Sequence, residues 1–167
     1  MKIIGIDPGT AKMGYAIIDS IDKNNTKLLE TDILVTSSKL EDGDRLRFLF
    51  NGLTELLKNY QPKVMVIERI FFNMNAKTAI SVGQARGICM LAASNAKVKT
   101  IEYTALQAKK LLTGYGRATK KQMQEAVKDI LKLPKIIKSD DANDAVAMAL
   151  CYLKKELYAE GNFTKNK

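Results

Sequence analysis

The chain has 167 residues, 46% of them hydrophobic and 27% charged, enough for one sizeable core, too few for two full domains, and unlike disordered, collagen-like or disulfide-scaffold compositions. Lys and Arg number 27 against 18 Asp and Glu, a formal charge of +9, which favours a polyanionic partner or an anionic membrane surface. Histidine is absent, so imidazole bases, His-based triads and most catalytic zinc sites are excluded, and proton and metal chemistry falls to carboxylates, lysines or tyrosines.

In chain order, residues 2–7 form a short apolar strand that ends in Asp7 and is turned by Pro8-Gly9-Thr10. Gly14 to Asp19 and Leu28 to Thr36 read as two further strands around the turn-rich Asp22-Lys23-Asn24-Asn25, an antiparallel meander. From Asp44, Leu46, Leu49, Phe50, Leu53, Leu56 and Leu57 follow the spacing of an amphipathic helix that ends near Pro62. Val64-Met65-Val66-Ile67 is a continuous apolar run, as expected of a central strand covered on both faces, and it ends in Glu68. A helix rich in small residues spans 75–95, with Gly83 and Gly87 one turn apart; that spacing permits close backbone approach within the domain or at a dimer seam. Val98 to Glu102 is a short strand. Helices over 104–112 and 119–132 flank Thr113-Gly114-Tyr115-Gly116-Arg117, a glycine-bounded loop. Ser139 is placed to cap a last helix from Asp140 to about Tyr158. The expected organisation is one domain over 1–158 with a polar tail at 159–167: an α/β fold whose five-stranded mixed sheet carries helices on both faces.

Nine basic residues fall within 107–138 (Lys109, Lys110, Arg117, Lys120, Lys121, Lys128, Lys132, Lys135 and Lys138) against only Glu125 and Asp129, a local charge of +7. A concentrated basic surface is what binding a phosphate backbone requires; a solvated lysine-rich face is the alternative. Cys89 and Cys151 lie among apolar or small neighbours without CxxC spacing and read as buried thiols in a reducing cytoplasm. No long apolar segment marks secretion or membrane spanning.

In open α/β sheets, sites form beyond the C-terminal ends of the parallel strands. Asp7 and Glu68 each end an apolar strand, and Asp141 and Asp144 stand at i and i+3 near the start of the last helix. Acidic residues in a first helical turn also serve the macrodipole. Four carboxylates without histidine nevertheless make an oxygen-rich set suited to Mg²⁺ or Mn²⁺. Two such ions about 3.5–4 Å apart are the usual means of hydrolysing a phosphodiester.

Four segments carry a family likeness: Ile4-Gly5-Ile6-Asp7-Pro8-Gly9 followed by Gly14-Tyr15, Ile67-Glu68-Arg69-Ile70-Phe71, Gly83-Gln84-Ala85-Arg86-Gly87, and Asp141-Ala142-Asn143-Asp144-Ala145. Through them the sequence resembles the RuvC family of crossover junction (Holliday junction) endodeoxyribonucleases, in order from Met1 to about Leu157. The resemblance implies a ribonuclease-H-like fold and paired, symmetric nicking of four-way junctions in recombination and repair. It assigns Asp7, Glu68, Asp141 and Asp144 as catalytic, metal-holding carboxylates with two Mg²⁺ (or Mn²⁺) ions per active site. It further implies Lys109 and Lys120 near the scissile DNA, Phe71 against unpaired bases, a homodimer, and work beside a branch-migration motor complex. From the residues alone, core packing is the first reading of Phe71 and base stacking, as in single-strand binders, the second. The alternatives are a ribonuclease-H-like nuclease of ribosomal RNA processing and a non-catalytic nucleic-acid-binding module; an actin-like kinase would need a second domain.

Overall fold

The computed structural model describes residues 1–22, 25–69 and 76–157. The order of elements is β1 (Lys2–Asp7), β2 (Lys12–Ser20), β3 (Thr26–Val35), α1 (Asp42–Tyr60), β4 (Val64–Glu68), α2 (Ala76–Asn95), β5 (Lys99–Tyr103), α3 (Ala105–Thr113), α4 (Lys120–Leu131) and α5 (Asp140–Tyr152). The five strands form one sheet in the order β3-β2-β1-β4-β5. β1, β2 and β3 pair antiparallel, while β4 and β5 join β1 in parallel. The meander and the parallel crossovers are thus both present, in a ribonuclease-H-like α/β fold.

Strand alternation divides the core into two layers. Ile4, Ile6, Met13, Ile17, Met65 and Ile67 pack against Leu49 and Leu53 of α1 and Cys89 and Ala93 of α2. Ile3, Ala16, Ile18, Val64 and Val66 pack on the opposite face with Val127 of α4 and Val146 and Leu150 of α5. Both cysteines are free and buried; burial pushes each thiol up to about 12, which leaves them inert.

Boundaries depart from the sequence expectation where pairing or capping governs them. β2 begins at Lys12, two residues before Gly14, because its first residue is paired with Val35 of β3. A register shift between Ile17 and Ile18 leaves Leu29 on the edge strand unmatched. α1 starts at Asp42, placing Asp42 and Asp44 both in its first turn. α5 is regular only to Tyr152; the N–H of Leu153 is shared between the carbonyls of Ala149 and Leu150, and Leu153–Leu157 continues as a π-helical turn. The expected end at Tyr158, the tail and Phe71 lie outside the described residues. Among the described residues no helix is long and apolar enough to cross a membrane.

Candidate active site

The parallel register aligns Ile6 with Ile67, so the next residues along the two strands, Asp7 and Glu68, are neighbours. Alternation from Ile3 and from Val64 and Val66 turns both carboxylates to the α5 face. That helix lies directly on the backbone of the sheet at two glycines. A Cβ on Gly5 would come 2.0 Å from the carbonyl oxygen of Ala145, and one on Gly14 would come 2.0 Å from that of Asp141. Gly14 is itself the register partner of Asp7. The start of α5 is therefore seated beside the end of β1. Ser139 caps α5, its Oγ accepting from the N–H of Ala142 at 3.3 Å, and Asp141 and Asp144 follow within the first two turns.

The electrostatics record how closely the four carboxylates are gathered. Burial, then the charges of Glu68, Asp144 and Asp141, push Asp7 up to about 8, and its closeness to the Glu68 carboxyl adds to the rise. Glu68 is also raised, by burial and by Asp144, with the bond from Asp7 and the charge of Lys109 working against the rise. Asp144 is pushed up to about 6, first by burial and then by Asp140, while Lys120 and Lys109 oppose the shift. A partly desolvated cluster of like charges, only partly balanced by two lysines, is a site with an unmet demand for positive charge.

Lys109 lies on α3 and Lys120 is the first residue of α4. Both line a small cleft of about 140 Å³ with Glu68 and Asp144, floored by Ala105, Ala108, Met123, Ala147 and Met148. Capping boxes fix both helix starts: Thr104 with Gln107 for α3, and Thr119 with Gln122 for α4. All the candidate carboxylates and both candidate lysines are thus brought to one end of the sheet.

The donor set fits a hard divalent cation: it is all oxygen, half-buried and short of compensating charge. Among the described residues no three acidic side chains already converge with ligand spacing.

Two further features were not foreseen. Asp140 does not join the four carboxylates but bonds Lys120 Nζ at 2.6 Å. Arg86, from the Gly-Gln-Ala-Arg-Gly segment, ion-pairs with Glu102 on β5, whose other oxygen stands 3.9 Å from Arg69 Nε. The N–H of Arg69 donates to the carbonyl of Tyr103 at 2.7 Å. The residue that follows Glu68 is thereby tied to the neighbouring strand.

The chain matches the family model described as "Crossover junction endodeoxyribonuclease RuvC" over residues 3–152. It is 48% identical over 153 residues to the crossover junction endodeoxyribonuclease RuvC of Finegoldia magna, covering 92% of this chain and 93% of that one. It is also 48% identical over 152 residues to the protein of the same name from Desulforamulus reducens, covering 91% and 93%. Among solved structures it resembles Thermus thermophilus RuvC in complex with Holliday junction substrate, with a TM-score of 0.88 at 28% identity over 92% of this chain and 93% of that one.

Proposed function

The chain belongs to the RuvC family of crossover junction endodeoxyribonucleases, and from that premise we propose that Asp7, Glu68, Asp141 and Asp144 form its catalytic centre. The enzyme is a metal-dependent, structure-specific endonuclease that resolves Holliday junctions, a hydrolase of DNA phosphodiester bonds. The observation that supports the residue assignment is the seating of the start of α5, which carries Asp141 and Asp144, on Gly14, the register partner of Asp7.

The four carboxylates would hold the metal, read as two Mg²⁺ or Mn²⁺ ions per site; such ions activate the attacking water and stabilise the leaving oxygen. The protein's own part is to supply negative charge in a partly dry cleft, and Asp7, raised to about 8, would give up its proton as a cation binds. Lys109 and Lys120 border the same cleft and would bind the phosphate from the side away from the sheet, bringing positive charge to developing negative charge. Phe71, three residues beyond Glu68, is assigned to the unpaired bases of a distorted crossover, where an aromatic stack is available.

Four-way junction DNA is nearly two-fold symmetric, and paired nicking calls for two sites related by that symmetry. We assign the homodimer seam to α2. Exposed Ile80, Met90 and Leu91 recur near the Gly83 and Gly87 positions, where an added Cβ would meet nothing within 4 Å of the single chain. Residues 1–158 are taken as one nuclease domain, supported by two core layers on a single sheet. Two buried free thiols fit the reducing cytoplasm, and membership of the family extends the proposal to cooperation with a branch-migration motor.

The test is cleavage of a synthetic four-way junction in Mg²⁺, compared with the linear duplex and with RNA. Paired nicks confined to the junction are expected; equal cutting of RNA or of plain duplex contradicts the reading.

A further inference from the structure

The acidic start of α5 contains one carboxylate more than the catalytic set uses. Asp140 precedes Asp141 directly, so the helix turns its side chain about 100° from that of Asp141. It reaches α4. Asp140 Oδ2 accepts from Lys120 Nζ at 2.6 Å, and Oδ1 accepts from Gln124 Nε2 at 3.4 Å. Lys120 and Gln124 are i and i+4 on α4 and therefore neighbours on one face. A single carboxylate thus staples the first two turns of α4 to the first turn of α5, at the end of both helices where the cleft lies.

The backbone of Lys120 is fixed by the Thr119–Gln122 capping box, but its side chain is 77% exposed. A lysine ammonium on a flexible four-carbon stem carries large rotamer freedom and does not aim itself. Asp140 restricts that freedom. We propose that Asp140 is a positioning residue for Lys120: it holds the ammonium at the rim of the carboxylate cleft in the DNA-free enzyme and yields it to the scissile phosphate. This rests on the reading of Lys120 as a phosphate contact.

The exchange needs a hold that is well directed yet weak. An ion pair with one partner 77% and the other 44% exposed is of that kind, and a phosphate oxygen replaces the carboxylate oxygen without loss of a hydrogen bond. The device has an electrostatic cost, because Asp140 places a negative charge beside the path of the DNA. Orientation and affinity therefore respond to its removal in opposite senses, which separates positioning from simple support.

Asp140→Asn retains the shape and the contact with Gln124 and deletes the charge. Its single-turnover cleavage of a four-way junction in Mg²⁺ is expected to slow about tenfold, while its junction Kd, measured without divalent metal, tightens about two- to fivefold. Asp140→Glu retains most of the rate. In a Lys120→Gln background Asp140→Asn slows cleavage no further, and its melting temperature stays near that of its parent. Unchanged or faster cleavage overturns the proposal. So does weaker binding with a lowered melting temperature, which marks a merely structural role, or an undiminished effect without Lys120. If the wild-type enzyme leaves the junction intact, the functional reading fails; if it cuts and Asp140→Asn cuts equally fast, only this proposal fails.

Discussion

Gly14 and Asp141 meet so closely that a Cβ on the glycine would stand 2.0 Å from the aspartate's carbonyl oxygen. The contact is between backbones, so no side-chain rearrangement relieves it. Gly14→Ala is expected to push the start of α5 off the sheet and lift Asp141 and Asp144 away from Asp7. The cost is roughly 3 kcal/mol, at the upper end for overpacking, and the melting temperature should fall by about 6–12 °C. Cleavage should fall further than stability alone explains, because metal-site geometry tolerates little displacement. Thermal unfolding beside junction cleavage checks this, and a stable, active Gly14→Ala enzyme would refute the seating argument.

The raised carboxylates give stability a definite pH dependence. Asp7 titrates near 3.8 in an unfolded chain and at about 8 in the fold, so between those values the folded state holds more protons. Stability without metal should therefore fall as pH rises from about 4 to about 8 and level off above it. Asp144, raised to about 6, adds to the earlier part of that decline. Asp7→Asn should raise metal-free stability at pH 8 by on the order of 2–4 kcal/mol, and Mg²⁺ should stabilise the wild type more than the variant. Denaturant unfolding across this range, with and without Mg²⁺, measures both effects; stability that rises with pH would contradict the assignment.

The seam on α2 makes the opposite forecast to Gly14. Space is open around Gly83, so Gly83→Leu should leave the single chain as stable as before or slightly more so, since glycine is a poor helix former by about 1 kcal/mol. The dimer should dissociate at least tenfold more readily in sedimentation experiments, and paired nicking should give way to single nicks. A Gly83→Leu protein that remains a full-strength dimer would remove α2 from the seam.

Much of this was legible in the residues. Apolar runs ending in Asp7 and Glu68 announced two central strands and their terminal carboxylates, and i, i+3 spacing announced Asp141 and Asp144. What could not be read is relative placement. The register that makes Asp7 and Glu68 neighbours is a property of two strands far apart in sequence, and the glycine seats beneath α5 emerge only when helix and sheet meet. The same limit hid Asp140: consecutive aspartates look equivalent in a string, but helical phase sends one toward Asp7 and the other to Lys120, twenty positions away. The Arg86–Glu102 pair was hidden likewise, since neither partner has local periodicity to mark it.

Phe71 follows Glu68 by three residues. As a base-stacking residue, its replacement by Ala should leave the melting temperature near wild type, slow cleavage of intact junctions, and be partly rescued by a junction with unpaired bases built in near the cut, because a base–aromatic stack is worth about 1–3 kcal/mol. As a core residue, the same change should cost about 3–5 kcal/mol of stability with no rescue. Unfolding of Phe71→Ala beside cleavage of both substrates separates the two.

The central claim is that the four carboxylates are needed for cutting and not for binding the junction. It is tested most directly by measuring junction binding and Mg²⁺-dependent junction cleavage, on the same preparations, for Asp7→Asn, Glu68→Gln, Asp141→Asn and Asp144→Asn. Each variant is expected to bind the four-way junction about as well as the wild type, with the steep salt dependence of phosphate contacts, and to leave it uncut. Retained cleavage by Asp7→Asn or Glu68→Gln would contradict the account.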